Sequence, residues 1–429
     1  MDGDDVMDFS PGKRILIATF GSLGDLHPYL AIAIELKRRG HRPLIATLDR
    51  YREAVEGEGV EFAVMRPLES RFGSPQELVR RIIHPRKGPE YLIRRIVMPF
   101  VRESYDDLYR LSEGADLLIS HPITVTMPLV AEKRGLPWVS TVLSPMSFFS
   151  AYDPSVIAAV PWLHHLRRIS IGLYRGIFEM AKSAIASWER PLRQLRVEIG
   201  LPPAKKLAMF EGQFSPRLNL ALFSSLFAGP QPDWPANTEI CGFARYDGRP
   251  DPAVSAGLKK YLEAAEPPIV FTLGSSVSMD PGDFFAKARD AATRLGRRAI
   301  LVTGSLSLEN SDSLERVKVF PYVPYSEIFP NASVIVHTGG IGTMSQALAA
   351  GRPMLVIPAA FDQPDNAHRA ERLGTARVVP FQRVTVNNLM KHIVELLADR
   401  ECRERSVRVG ERLRDENGAK RACDLLEKI

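Results

Sequence analysis

Apolar, β-branched runs and helix-length amphipathic segments alternate twice along the 429 residues of this chain, and no other feature constrains its fold as much. The first series holds "RILIATF" from Arg14, a helix from about residue 28 to 39, then "PLIATL", "DLLIS" and "PWVSTVL". The second holds "PPIVFTLGSS", "RAILVTG", "VKVFPYVP", "SVIVHTGG" and "PMLVIPAA". Most of these runs end in a turn and a helical pattern, such as 344–350 or 366–373, which implies parallel strands connected by helices. The expected class is α/β, with two doubly wound domains of similar size.

Breaks in the pattern set the boundaries. Residues 1–13 read as a disordered acidic tail, 14–228 as the first domain, the Pro- and Gly-rich "GPQPDWPAN" of 229–237 as a linker, and 238–429 as the second domain. A long helical tract over roughly 155–200 carries Trp162, Tyr174, Phe178, Met180 and Trp188 at mixed spacings, expected mostly as core. The terminal "NGAKRACDLLEKI" reads as a helix that either stays on the second domain or crosses back to the first.

Composition narrows the function classes. Lys and Arg total 56 against 50 Asp and Glu, and a net charge of +6 is too mild to call for nucleic acid. The excess concentrates in "RRIIHPRKGPEYLIRRIVMPFVR", residues 80–102, which reads either as the solvated face of amphipathic helices or as a peripheral contact with a membrane surface or anionic ligand. Cys241, Cys402 and Cys423 show neither CxxC nor metal-ligand spacing, so neither a disulfide framework nor a zinc site is suggested. The N-terminus lacks an apolar leader core, and no run approaches the ~18 apolar residues that span a bilayer. A cytoplasmic protein, at most peripheral to the inner membrane, is expected.

Chemistry concentrates in the turns. "SVIVHTGGIGTMSQALAAGRP" runs from strand through His337 and the glycines Gly339, Gly340 and Gly342 to a helix start at Thr343. Glycines let backbone approach a ligand, and free N–H groups at a helix N-terminus bind phosphate oxygens. His337 is placed to add a charge-assisted hydrogen bond to the same diphosphate. The next strand-to-helix loop, "FDQPDNA", offers Asp362 and Gln363 to sugar hydroxyls, and "FPYVPYSEIF" offers the Tyr322 ring to a nucleobase. "TLGSS" holds Ser275 and Ser276, either beside the same ligand or in a plain turn. In the first domain "GSLGDLHP" holds Gly24, Asp25 and His27. His121 follows "DLLIS" and reads either as a structural histidine or as a partner of Asp25 or of the acceptor.

"HTGGIG" from His337, "GRP" from Gly351, Pro358 and "DQPDNA" from Asp362 resemble, in series and spacing, the donor-binding signature of the family 1 glycosyltransferases of GT-B fold. "GSLGDLHP", "SPRLNLALFSSLFAGPQPDWP" and "CGFARYDG" extend the resemblance loosely over the chain. It implies two Rossmann-like domains facing across a cleft, the first for an acceptor and the second for a nucleotide sugar. Tyr322 and the backbone of Val323 would hold the base. His337, Gly339, Gly340, Gly342 and Thr343 would hold the diphosphate, with Gly24, Ser275 and Ser276 beside it, while Asp362 and Gln363 would hold the sugar. The ribose-binding Glu of plant members is replaced by Ser345, which makes dTDP a candidate beside UDP, and the similarity of "PQPDWP" and "HTGGIG" to the bacterial clade that includes the rhamnosyltransferase of rhamnolipid synthesis implies dTDP-rhamnose, with UDP-glucose close behind.

The same resemblance implies an inverting transfer of a hexose to a hydroxyl of a small lipophilic acceptor, such as a phenolic aglycone or hydroxy-fatty acid. Asp25, three residues before Pro28 as in bacterial "GSxGD" members, would be the general base, and its alternative is a turn residue at the start of a helix whose first position is Pro28. His27, His121, Met146, Phe148 and Phe149 would line the acceptor site. No cofactor and no metal are expected, since DxD spacing occurs only at Asp2 and Asp4 in the tail. A nucleotide-sugar epimerase of the same architecture and a non-catalytic nucleotide-sugar-binding module are the alternatives.

Overall fold

The computed structural model describes residues 12–249, 252–263, 266–304 and 316–429, without the side chains of Ala253 and Ser276. The tail over 1–11, with Asp2 and Asp4, lies outside them. Two wholly parallel sheets account for the alternation read from the sequence. The first takes β1 (Arg14–Ala18), β2 (Arg42–Thr47), β3 (Glu61–Val64), β4 (Leu117–Ser120), β5 (Trp138–Val142), β6 (Asn219–Ala221) and β7 (Thr238–Ile240) in the order β3-β2-β1-β4-β5-β6-β7. The second takes β8 (Ile269–Thr272), β9 (Ala299–Val302), β10 (Val317–Phe320), β11 (Val334–His337), β12 (Met354–Val356) and β13 (Ala376–Val378) in the order β10-β9-β8-β11-β12-β13. Every residue of β4, β8, β9 and β11 is buried. Strands buried on both faces need helices on both faces, which is why these runs are apolar throughout.

One boundary differs from expectation. Thr238–Ile240 pairs with Asn219–Ala221 and completes the edge of the first sheet, so 229–237 is a loop within the first domain and not a linker. The chain leaves that domain after Ile240, through the buried Cys241, Phe243 and Ala244. The helical tract also differs, because Trp162 and Met180 are exposed and only Tyr174 of the five aromatic or Met positions is fully buried.

The terminal helix Gly418–Leu426 packs on helix Leu23–Arg38 of the first domain. Cys423 Sγ lies 3.7 Å from the Ile32 carbonyl, and Arg39 pairs with Asp424 and Glu427, each at 2.8 Å. All three cysteines are buried free thiols. In the basic segment, Arg80 pairs with Asp280, Arg81 with Glu77, Arg94 with Glu90 and Arg102 with Glu198. Much of its apparent charge excess is therefore locally compensated. Among the described residues no helix is long and apolar enough to cross a membrane.

Candidate active site

Strand order reverses beside β1 and β4 in the first sheet and beside β8 and β11 in the second. In doubly wound folds ligands bind beyond the carboxyl ends of the strands at such switch points. The segments leaving these ends carry Gly24 and Asp25, His121, Gly274 and Ser275, and the glycines after His337. The two domains meet there. A Cβ added to Gly342 would lie 3.4 Å from Gly24 Cα of the first domain; within the second domain, one added to Gly274 would lie 3.3 Å from Thr343 Oγ1.

Helix Leu23–Arg38 starts before Pro28, with Ser22 as N-cap and Asp25 at the third position of a capping box. Pro28 thus sits inside the helix, where its missing N–H leaves the Gly24 carbonyl without its usual partner. Asp25 Oδ2 accepts the Ser22 N–H at 2.7 Å and the Ser22 hydroxyl at 3.0 Å, while Oδ1 lies 3.3 Å from His121 Nε2. His121 Nδ1 accepts the Ile123 N–H at 3.1 Å, which puts the ring proton of the neutral imidazole on Nε2, aimed at Asp25. Burial pushes the Asp25 carboxyl up, but the His121 contact and the Ser22 bonds outweigh it and hold the group below the usual carboxylate range. With its side chain 33% exposed, Asp25 caps the helix and still meets the cleft.

His27, expected at the acceptor, instead packs edge-on against Tyr246 of the crossing segment, ring centroids 5.1 Å apart. Two residues after Asp25, and so about 200° around the helix, it faces away from Asp25 toward that segment. Burial lowers its pKa to about 4, so it is neutral at physiological pH.

In the second domain Gly340 is the N-cap of helix Ile341–Ala350, with no side-chain cap on the first N–H groups. Gly339 has φ +87°, and a Cβ there would meet Val356 Cγ1 at 2.8 Å, so the turn requires glycine. His337 is wholly buried, Nδ1 accepts the Gly339 N–H at 3.1 Å, and Nε2 has no partner. Burial lowers its pKa to about 3. With Nδ1 accepting, the ring proton sits on Nε2, so His337 is a neutral imidazole whose Nε2–H is an unmatched buried donor. Ser345 is buried, its hydroxyl bonded to the Gly342 carbonyl at 2.8 Å. Ser275 lies half-buried in the short helix Gly274–Val277, which also holds the backbone of Ser276, whose side chain is outside the described set. Tyr322 is 43% exposed with its hydroxyl on the Asp247 carbonyl at 2.6 Å, and Val323 is buried.

Asp362 caps helix Gln363–Arg372 directly after Phe361, whose φ is +53°. Phe149, at φ +50°, is the other non-glycine residue of positive φ among those described, and it belongs to the first-domain loop packed on this helix. Backbone strain of this kind concentrates at functional sites. Asp362 Oδ2 accepts Asn366 Nδ2 at 2.7 Å. Burial raises the Asp362 pKa to about 7, with a further push from the Asp25 charge across the cleft. Gln363 Oε1 accepts the Ala359 and Ala360 N–H groups at 2.9 and 3.2 Å, which fixes the amide and leaves Nε2 as its uncommitted end.

Of the acceptor candidates, Met146 is half-buried, Phe148 stacks on Trp234 at 4.1 Å, and Phe149 tilts against Phe210 and Phe178 at 5.0 and 5.4 Å. Phe148 and Phe149 line a cavity of about 1110 Å³ in the first domain, with Tyr174, Phe178, Phe210 and Trp234 among its other walls. Sequence reasoning missed Asn366, which donates to both Asp362 and the Gly339 carbonyl and accepts from Ser144 at 3.1 Å. It also missed the half-buried Tyr325, whose hydroxyl lies 2.9 Å from Thr272 Oγ1. The i,i+4 spacing of Asp362 and Asn366 could have revealed the first. Among the described residues no group of three or more His, Cys, Asp or Glu could hold a metal ion.

Comparison with known proteins agrees with this geometry. Residues 15–90 match the glycosyltransferase family 28 N-terminal domain, and 292–423 match the erythromycin biosynthesis protein CIII-like C-terminal domain. The O-mycaminosyltylonolide 6-deoxyallosyltransferase of Streptomyces fradiae is 30% identical over 422 residues, covering 96% of this chain and 97% of that protein. Among solved structures, the calicheamicin glycosyltransferase CalG4 superposes with a TM-score of 0.71 at 18% identity, covering 97% and 98% of the two chains. The spinosyn rhamnosyltransferase SpnG complexed with thymidine diphosphate gives 0.67 at 18% identity, covering 96% and 100%. With two parallel α/β domains meeting at their switch points and a relative matched along nearly its whole length, the chain belongs to the family 1 glycosyltransferases of GT-B fold, enzymes that use nucleotide-sugar donors.

Proposed function

We propose that this enzyme transfers a hexose, with inversion, from a dTDP- or UDP-sugar to a hydroxyl of a small lipophilic acceptor. The observation that carries the reading is the approach of Gly24 to Gly342, which sets the Asp25 carboxylate of one domain opposite the uncapped helix N-terminus of the other. With Oδ2 held by Ser22 and one side of Oδ1 held by His121, the remaining lone pair of Oδ1 takes the acceptor proton. The acceptor oxygen then attacks the anomeric carbon, and the diphosphate leaves toward the N–H groups of Ile341–Thr343 and the Nε2–H of His337. Tyr322 and Val323 take the base, and Asp362 and Gln363 Nε2 take sugar hydroxyls. Thr343 and Ser275 border the diphosphate.

Similarity to a 6-deoxyallosyltransferase and to a rhamnosyltransferase crystallised with thymidine diphosphate supports a dTDP-6-deoxyhexose donor such as dTDP-rhamnose. So does Ser345, whose hydroxyl is occupied by Gly342 where a ribose-binding carboxylate would stand. The aromatic walls around Phe148 and Phe149 support a lipophilic natural product as acceptor. The test is a panel of dTDP-rhamnose and UDP-glucose with a phenolic acceptor and a hydroxy-fatty acid, product followed by mass. Asp25→Asn, which keeps an oxygen for Ser22, is expected to lower kcat by about 10²–10⁴-fold with dTDP binding retained. Full activity in Asp25→Asn would overturn the base assignment, and retention of configuration in the product would overturn inversion.

A further inference from the structure

Helix Gln363–Arg372 begins with the groups read above as sugar ligands, yet along its length it is fastened to the opposite domain. Arg369, 3% exposed, lies between Asp365 Oδ2 of its own helix at 2.8 Å and Asp153 Oδ2 of the first domain at 2.5 Å. The other Asp153 oxygen takes Arg372 Nη1 at 3.0 Å. Asp365, wholly buried, accepts the Val156 N–H on Oδ1 at 3.0 Å, and Ser144 donates to Asn366 Oδ1 at 3.1 Å. The first-domain loop over 144–156 is thus tied to the helix near both ends. Between them, Ser150 Oγ and the Ala151 N–H hold Asp233 at 2.6 and 2.7 Å.

Spacing gives these contacts a direction. Asp362, Asn366 and Arg369 stand at i, i+4 and i+7, one stripe of the helix, so the side that grips the first domain is the side that starts at the sugar site. A buried guanidinium is tolerated only when its charge is matched and its N–H groups are satisfied. Asp365 matches it from within the helix, and Asp153 holds Nη1 from across the cleft.

We propose that Asp153 is a positioning residue for the donor sugar: through Arg369 it sets the placement of the helix whose first turn presents Asp362 and Gln363. This rests on the reading of that turn as the sugar site. The base and diphosphate are held on other loops of the second domain, so the sugar's share of donor affinity depends on a first-domain carboxylate and the nucleotide's share does not.

Titration calorimetry of the full chain with dTDP and with dTDP-glucose tests this. Asp153→Asn is expected to weaken dTDP-glucose about tenfold, the cost of one charge-assisted hydrogen bond, and to leave dTDP within about twofold. Arg372→Ala, at an exposed position that frees one Asp153 oxygen without leaving a buried charge, is expected to weaken dTDP-glucose about two- to threefold. It also reports should Asp153→Asn fail to fold. Equal weakening of dTDP and dTDP-glucose, or no change in either, would overturn the proposal. Asp362→Asn separates the two layers: if it reduces the sugar's share while Asp153→Asn and Arg372→Ala do not, Asp153 loses its role and the sugar site stands. If Asp362→Asn leaves that share intact, the sugar reading fails and the proposal with it.

Discussion

Asp362→Asn is expected to change how stability depends on pH. The folded-state pKa of Asp362 is raised from 3.8 to about 7, chiefly by burial. Between those values the folded chain binds more protons at this site than the unfolded chain, so stability contributed by the protonated carboxyl is present at pH 5 and is lost as pH rises toward 8. A shift of this size corresponds to about 2.6 kcal/mol between pH 5 and 8, and partial solvent contact at the cleft reduces that to about 2 kcal/mol. Asparagine keeps an oxygen for Asn366 Nδ2 and removes the titration. Urea unfolding of the unmodified chain and the variant at both pH values gives the double difference. The variant should gain about 2 kcal/mol relative to the unmodified chain on going from pH 5 to pH 8. His27 and His337 titrate in both proteins and cancel. A double difference below about 0.5 kcal/mol, or of opposite sign, would refute a carboxyl held protonated by burial.

His121→Ala should raise the Asp25 pKa, because the His121 contact is what chiefly offsets burial. The acid limb of the kcat/KM profile then moves to higher pH, and kcat falls by about tenfold or more while dTDP affinity is unchanged; an unmoved acid limb would show that His121 does not act through Asp25. Gly339→Ala places a Cβ 2.8 Å from Val356 Cγ1 at φ +87° and is expected to cost about 2 kcal/mol in unfolding free energy, read by urea titration; a loss under about 0.5 kcal/mol would mean the turn adapts.

Sheet content and chemistry were legible for the same reason: strands of a parallel sheet must be apolar, and the loops at their carboxyl ends must supply backbone N–H groups, glycines and polar side chains. "HTGGIG" and "DQPDNA" could be read because the spacing that carries the family resemblance is local in the chain. What could not be read was set by contacts between distant segments. Thr238–Ile240 is three residues long, and its membership in the first sheet is decided by pairing with Asn219–Ala221. The complete burial of His337 and its unmatched Nε2 follow from the strands and turn packed around it, which no local pattern records. His27 and Asp25 differ by two residues in a helix, so one turns to Tyr246 and the other to His121. Pro28 misled the reading of the helix start, because a proline favoured at a first turn is here tolerated deeper in, beside the cleft.

The placement of the last helix bears on recombining enzymes of this architecture. Gly418–Leu426 is the end of the chain, yet Cys423 and Leu426 are buried and its partners include Ile32 and Arg39 near the other end. A chimera joined once, after Ile240, would give the first domain a foreign terminal helix and leave Arg39 facing unmatched residues. A recombination that respects this topology needs two junctions, with the final segment inherited together with the half that begins the chain.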